Sequence, residues 1–287
     1  FFDKIEIINS IVSTIQFVFR VSMHILLDKR DGHHRSLVGV QYDAISREAA
    51  THMRKYLDSI KDFRGGMTSW GKPIPRLQKW YGSRYFGEHW KDQDNLRWKP
   101  CVYEPELAEI QKLLQTRLDG CKVAHIMGVA GASRRTRVRR KSRFGRHGHF
   151  KMRNRRKPLN SCLMNKYRDG SDSIKPHRDS EVIFGENPVV VILSIGAMRT
   201  LTFRRILFDE DNLHLVQPET DHDLADEFSV ELKEGSIIVM AGALQKYYSH
   251  EISKTENCIG HGHGDGHGDG HNCKTRYSLT FRNFGET

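Results

Sequence analysis

Cysteine is scarce in this chain of 287 residues, and long apolar runs are missing. The five cysteines, Cys101, Cys121, Cys162, Cys258 and Cys273, are odd in number and show no CxxC spacing. That argues against a disulfide framework and for a reducing, intracellular compartment, nuclear or cytoplasmic. The longest charge-free apolar stretch near the N-terminus, Ile7–Phe19, has 13 residues. A bilayer needs ~20, so no membrane is expected as a partner. The sequence opens on Phe1 rather than Met, so no targeting signal is read from that end. Acid is absent from one segment: residues 134–157 hold 13 Lys/Arg and no Asp or Glu. The remaining 33 basic and 35 acidic residues nearly cancel, so this segment carries the whole excess behind the net charge of +11. It suits a polyanionic partner such as DNA or RNA, held by its phosphates and not read by its bases. The plainer alternative is a solvated or localisation segment.

With 38% hydrophobic residues the chain can bury a core. Alternation over Ile15–Ile25 predicts a strand, followed by a polar turn at Asp28–His34 and a second strand near Leu37–Val40. Asp43 is a candidate cap for a helix running to about Ile60, and Pro105 opens a second helix ending near Leu118. Beyond Pro158 come short strands: Leu159–Tyr167, Val189–Ile195, Thr200–Ile206, Phe228–Leu232, Ser236–Met240 and Arg276–Phe284. Such a series predicts an antiparallel sandwich or barrel. Two segments read as inserts, the basic stretch at about 130–157 and a Gly-His-Asp run at about 258–273. Cys258, His261, His263, His267, His271 and Cys273 of that run match no zinc spacing, and adventitious or no metal binding is expected there.

Non-haem iron sites use two His and one carboxylate on one face, leaving positions open for a co-substrate and oxygen. Their trace is H-x-D plus a distant His. H-x-D occurs three times here, at His177/Asp179, His263/Asp265 and His267/Asp269, and the last two fall in the Gly-rich run where no rigid element fixes geometry. His177 and Asp179 instead precede the apolar Pro188–Gly196, and His250 follows the apolar Ser236–Met240. On the final strand, Arg276, Ser278, Thr280 and Arg282 share one face. Two inward arginines are costly unless they meet anions, and a dicarboxylic co-substrate supplies both partners.

These residues carry a resemblance. Asn165–Tyr167 (NKY), the HRD of His177–Asp179 with Glu181 two residues on, LSIGAMRTLTFR, His250 and RYSLTFR look like the AlkB family of Fe(II)- and 2-oxoglutarate-dependent nucleic-acid dealkylases. The segment Pro75-Arg76…Trp80-Tyr81-Gly82 is similar to the PR…YG segment of the family's eukaryotic repair branch. The chain departs at Ser278, where the family's closing pattern has Asn. The resemblance implies a mainly β fold: a double-stranded β-helix (jelly-roll) core with flanking helices over 71–287, preceded by an N-terminal α+β extension over 1–70. It implies Fe(II) held by His177, Asp179 and His250, and 2-oxoglutarate held by Asn165, Tyr167, Arg276, Ser278 and Arg282. Trp90 is the expected aromatic against a flipped base, with Tyr85 and Phe86 next, and Glu181 and Arg76 are the other substrate-side candidates. The implied reaction is oxidative demethylation of N-alkylated bases in DNA or RNA by a monomer, consuming 2-oxoglutarate and O2 and releasing formaldehyde, succinate and CO2. The alternatives are an oxygenase acting on protein, or a nucleic-acid-binding protein with an inactive site.

Overall fold

A computed structural model describes residues 23–67, 71–86, 98–121, 158–208, 215–216, 227–255 and 275–284. In chain order these hold β1 (His24–Asp31), β2 (His34–Gln41), α1 (Arg47–Ser59), β3 (Leu77–Tyr81), α2 (Pro105–Gly120), β4 (Ser161–Tyr167) and β5 (Ile174–His177). There follow the one-turn α3 (Glu181–Phe184), β6 (Val190–Gly196), β7 (Arg199–Arg205), β8 (Leu207–Phe208), β9 (Leu215–Val216) and β10 (Phe228–Leu232). The last are β11 (Ile237–Gly242), the one-turn α4 (Leu244–Tyr247), β12 (Tyr248–Ile252) and β13 (Arg276–Arg282).

The strands form a seven-stranded sheet in the order β1-β2-β11-β6-β13-β4-β3 and a four-stranded sheet in the order β10-β7-β12-β5. All pairings within both sheets are antiparallel, as the run of short strands predicts. The architecture is the jelly-roll core. Period-2 alternation decides what each face of the larger sheet meets. Leu37, Val191, Leu193, Ile195, Val239, Tyr277, Leu279 and Phe281 pack with Ala49, Met53 and Leu57 of α1 and Leu107, Ile110 and Leu114 of α2. Their neighbours Val38, Val40, Val190, Ile192, Ile238 and Met240 turn the other way, onto Leu201, Phe203, Val230, Tyr248 and Ile252 of the smaller sheet. Burying each such side chain contributes about 1.5–3 kcal/mol.

The N-terminal part differs from expectation in detail. The hairpin is present, but its first strand is His24–Asp31 and its turn is Gly32-His33, with Gly32 at φ 58°. The Asp28–Asp31 end of the expected turn is therefore strand. Its charges have strand partners: Arg35 grips Asp28 with two hydrogen bonds of 2.7 and 2.6 Å, and Arg205 of β7 meets Asp31 at 2.7 Å. Charge on this outermost strand also discourages edge pairing. Residues 15–22 of the expected strand lie outside the described residues. The helix cap is Ser46 and not Asp43, since the Ser46 hydroxyl accepts from the Ala49 amide at 3.2 Å while Asp43 sits in the preceding turn at φ 49°. The described part of the 1–70 segment is α+β, and its β2 pairs along β11 of the larger sheet.

Candidate active site

The iron ligands are brought together by strand pairing. His177 ends β5, His250 lies in the middle of β12, and the two are register partners in the smaller sheet. Asp179 follows two residues after His177, and one ligand atom from each of the three lies within 4.8 Å of the others. Two of them are fixed from behind by hydrogen bonds. His177 Nδ1 donates to the Lys175 carbonyl at 3.0 Å, which leaves Nε2 for a metal. The Asp179 amide donates to the buried Gln245 Oε1 at 2.8 Å, and Asp179 Oδ1 accepts from Arg282 Nη2 at 2.7 Å. Asp179 Oδ2 is buried with no hydrogen-bond partner among the described residues. Two neutral imidazole nitrogens and one carboxylate oxygen on a common side are the donor set that suits Fe(II).

Burial holds His177 below its ordinary range and His250 at about 3, the neighbouring His177 adding to the effect on His250. Burial opposes ionisation of Asp179, but the positive Arg282 beside it, which also donates to the carboxylate, wins and keeps the carboxyl below its usual range. Both histidines are thus unprotonated and ready to ligate. The linked stability has a definite sign. An unfolded chain takes up these protons near pH 6.5, whereas folded His250 takes none until about pH 3. Metal-free protein should therefore lose stability as pH falls below 6.5, by up to about 1.4 kcal/mol per pH unit for each histidine. Melting curves between pH 7 and 5 should show this slope, and His250→Asn should make it shallower. An identical slope in the variant would mean that His250 is not buried in its neutral form.

The co-substrate candidates line the inner face of β13 and its neighbours. Arg276, Ser278, Thr280 and Arg282 are all buried and alternate with Tyr277, Leu279 and Phe281 of the helix-facing core. Register sets their companions: Arg276 lies between Tyr167 and Gly196, and Ser278 between Asn165 and Ser194. Arg276 donates to Ser194 Oγ at 3.0 Å and sits 5.0 Å from the Tyr167 ring centre, while its Nε and Nη1 are buried without an acceptor. Burial draws it down to about 10, although the Tyr167 hydroxyl works the other way. Arg282 likewise has Nε and Nη1 buried and unpaired, and its guanidinium lies 4.8 Å from the Phe184 ring centre. Four orphaned cationic donors in one interior are a receptacle for carboxylates. Among the described residues Ser278 Oγ reaches only Thr280 Oγ1, at 3.4 Å. Gly196 has φ 93°, and any Cβ there would run into the Thr275 carbonyl just before Arg276.

The substrate-side candidates are less uniform. Glu181 opens α3 and its Oε1 accepts from the Asn187 amide at 3.1 Å, which braces the turn after the helix. Arg76 is half-buried and donates to Asn165 Oδ1 at 3.0 Å and to the Ser173 carbonyl at 3.2 Å. Trp90 lies outside the described residues, as do the basic insert and the Gly/His run. Phe86 is committed to a cluster with Trp80, Trp98 and Phe184 at ring-centre distances of 4.7, 5.7 and 5.9 Å. Sequence reasoning missed Gln245, Gln78 and Arg199. Arg199 is buried beside Tyr167 and donates to the carbonyls of Asp169, Asp172 and Ser253, tying the turn after β4 to the end of β12. Its place as the first residue of a strand on the LSIGAMRTLTFR motif was the one available signal.

A jelly-roll that sets two histidines and an aspartate beside a pocket of under-satisfied arginines defines an Fe(II)- and 2-oxoacid-dependent oxygenase. The family model of the 2OG-Fe(II) oxygenase superfamily matches residues 39–282, and the chain belongs to that superfamily. The family implies Fe(II) and 2-oxoglutarate, and the donor set described above fits both. The chain is 34% identical to mouse alpha-ketoglutarate-dependent dioxygenase alkB homolog 3 over 96 residues, 33% of this chain and 31% of the relative. It is 28% identical to the Arabidopsis thaliana DNA oxidative demethylase ALKBH2 over 131 residues, 43% of this chain and 37% of the relative. The chain thus spans about a third of the length of the curated relatives it matches, 31% and 37% in these two. Among the described residues no helix is long and apolar enough to cross a membrane.

Proposed function

We propose that this chain oxidatively demethylates N-alkylated bases in DNA or RNA, releasing formaldehyde, succinate and CO2. The observation that carries the oxygenase chemistry is the pairing of the buried His177/Asp179/His250 cluster with the orphaned donors of Arg276 and Arg282. Iron with 2-oxoglutarate and O2 supplies the oxidising power to hydroxylate a methyl carbon on a ring nitrogen. The protein's own part is placement. Arg276, whose Nε and Nη1 are left without an acceptor, presents its guanidinium to the far carboxylate of 2-oxoglutarate, with Tyr167 beside it. Arg282 steadies Asp179 and turns its remaining donors toward the inner end. Asn165 contributes its amide from β4. Glu181, at the head of α3 and two residues past Asp179, offers its second carboxylate oxygen to the amino edge of a flipped base, and Trp90 supplies a stacking face.

Nucleic acid as substrate is supported by the printed activity of the Arabidopsis relative, a DNA oxidative demethylase, and by the acid-free segment 134–157. The test is formaldehyde release from oligonucleotides carrying 1-methyladenine or 3-methylcytosine, as DNA and RNA, in single and double strands. Succinate formed without formaldehyde from any of them would sink the reading. If 134–157 grips phosphates, its deletion should weaken oligonucleotide binding and flatten the plot of log K against log[salt], whose slope is about −0.9 per duplex phosphate neutralised. Turnover of a free methylated nucleoside should change little. An unaltered salt slope would assign the segment to localisation instead.

A further inference from the structure

We propose that Arg76 and Gln78 are positioning residues that lock the side-chain amide of Asn165 with its NH2 group presented to 2-oxoglutarate. Gln78 is buried in β3 at 3% exposure, and no step above uses it. It is the register partner of Asn165 on β4, which in turn neighbours Ser278 on β13. Its Nε2 reaches Asn165 Oδ1 at 2.9 Å, and Arg76 Nε reaches the same oxygen at 3.0 Å.

An amide is nearly symmetric in shape, so packing alone does not choose between its two orientations. Arginine decides the matter, because a guanidinium can only donate and the atom facing it must be the Asn165 oxygen. Gln78, donating to that oxygen as well, occupies its second lone pair. The Asn165 NH2 then remains the unused half of the group, and it donates to no protein atom among the described residues. It lies on the same row of side chains as Arg276, whose Nε and Nη1 are buried without an acceptor among the described residues. A half-turn of the amide would put its oxygen against an anion and replace attraction by repulsion. The Gln78 Oε1 atom is itself buried and unpaired, a sign that the residue is held as a donor at some expense.

The lock rests on 2-oxoglutarate being the co-substrate, not on the identity of the oxidised base. It is tested by titrating 2-oxoglutarate into the full chain loaded with Mn(II), with no nucleic acid present, so failure of the dealkylase reading is seen separately in the formaldehyde assay. Gln78→Glu places an acceptor where a donor was, drawing Arg76 to itself and turning the Asn165 oxygen inward. Binding should weaken by at least about tenfold. Gln78→Met, which only deletes the donor and packs without a charge, should weaken it by about threefold or more. Because Gln78 acts through Asn165, Gln78→Glu introduced into an Asn165→Ala background should alter binding by less than about twofold. Unchanged affinity in Gln78→Met or Gln78→Glu overturns the proposal. So does an undiminished loss in the Asn165→Ala background, which would mark a direct effect of the new charge.

Discussion

Replacing His177 or His250 by alanine, or Asp179 by asparagine, is expected to abolish 2-oxoglutarate turnover in a protein that still folds. Each substitution removes one of three metal ligands from a site that offers no fourth among the described His, Cys, Asp and Glu residues. Metal content after loading and desalting should fall with turnover, and full activity in any one variant would mean the ligands are misassigned. Asparagine is the instructive choice at position 179. Its oxygen can still accept from Arg282 Nη2, now 2.7 Å from Asp179 Oδ1, although the charge and the ligand are lost. Asp179→Ala also strands the Arg282 guanidinium, whose side chain is 6% exposed. Breaking a buried pair in this way costs about 3–5 kcal/mol, so the alanine variant should melt well below the asparagine one. Substitution of His263 or His267 should leave turnover intact.

Arg276→Ala should raise the Michaelis constant for 2-oxoglutarate by a factor equivalent to about 2–5 kcal/mol, the usual effect of removing one partner of a buried charged pair. Lysine should restore little of it, since a point charge cannot reproduce the two-pronged fork. The same residue should show the opposite sign in stability. Without co-substrate, Arg276 is a fully enclosed cation that has Ser194 Oγ as a partner and two donors idle. Arg276→Met should therefore match or exceed the wild type in melting temperature when 2-oxoglutarate is absent, and should gain nothing when it is added. A variant that melts lower and still responds to 2-oxoglutarate would take Arg276 out of the pocket.

The parts of this molecule that were legible beforehand are those in which sequence neighbours share a strand. The 2-residue period of RYSLTFR placed Arg276, Ser278, Thr280 and Arg282 on one face, and the spacing of His177 and Asp179 put two ligands at one strand end. Edges and turns were harder. Asp28 and Asp31 read as turn residues because their partners, Arg35 and Arg205, are set by hairpin register and by the other sheet. Asp43 and Ser46 are both good caps by composition, and only the local backbone separates them. The supporting layer of the site was illegible for a different reason. Gln78 and Asn165 are 87 positions apart, and Asp179 and Gln245 are 66 apart, with no periodic pattern linking either pair. The first pair meets because sheet order sets β3 beside β4, the second because the pairing of β5 with β12 brings the residues after β5 against the short helix before β12.

Gly196 turns that sheet order into a constraint on sequence. The residue is a vacancy the fold depends on: with φ 93° and the Thr275 carbonyl oxygen where a Cβ would stand, it is the notch through which β13 enters the larger sheet. A methyl group there would displace the first turn of contact at Thr275, and with it Arg276 one residue further on. Any side chain at position 196 should therefore weaken 2-oxoglutarate binding through Arg276, without itself touching the co-substrate.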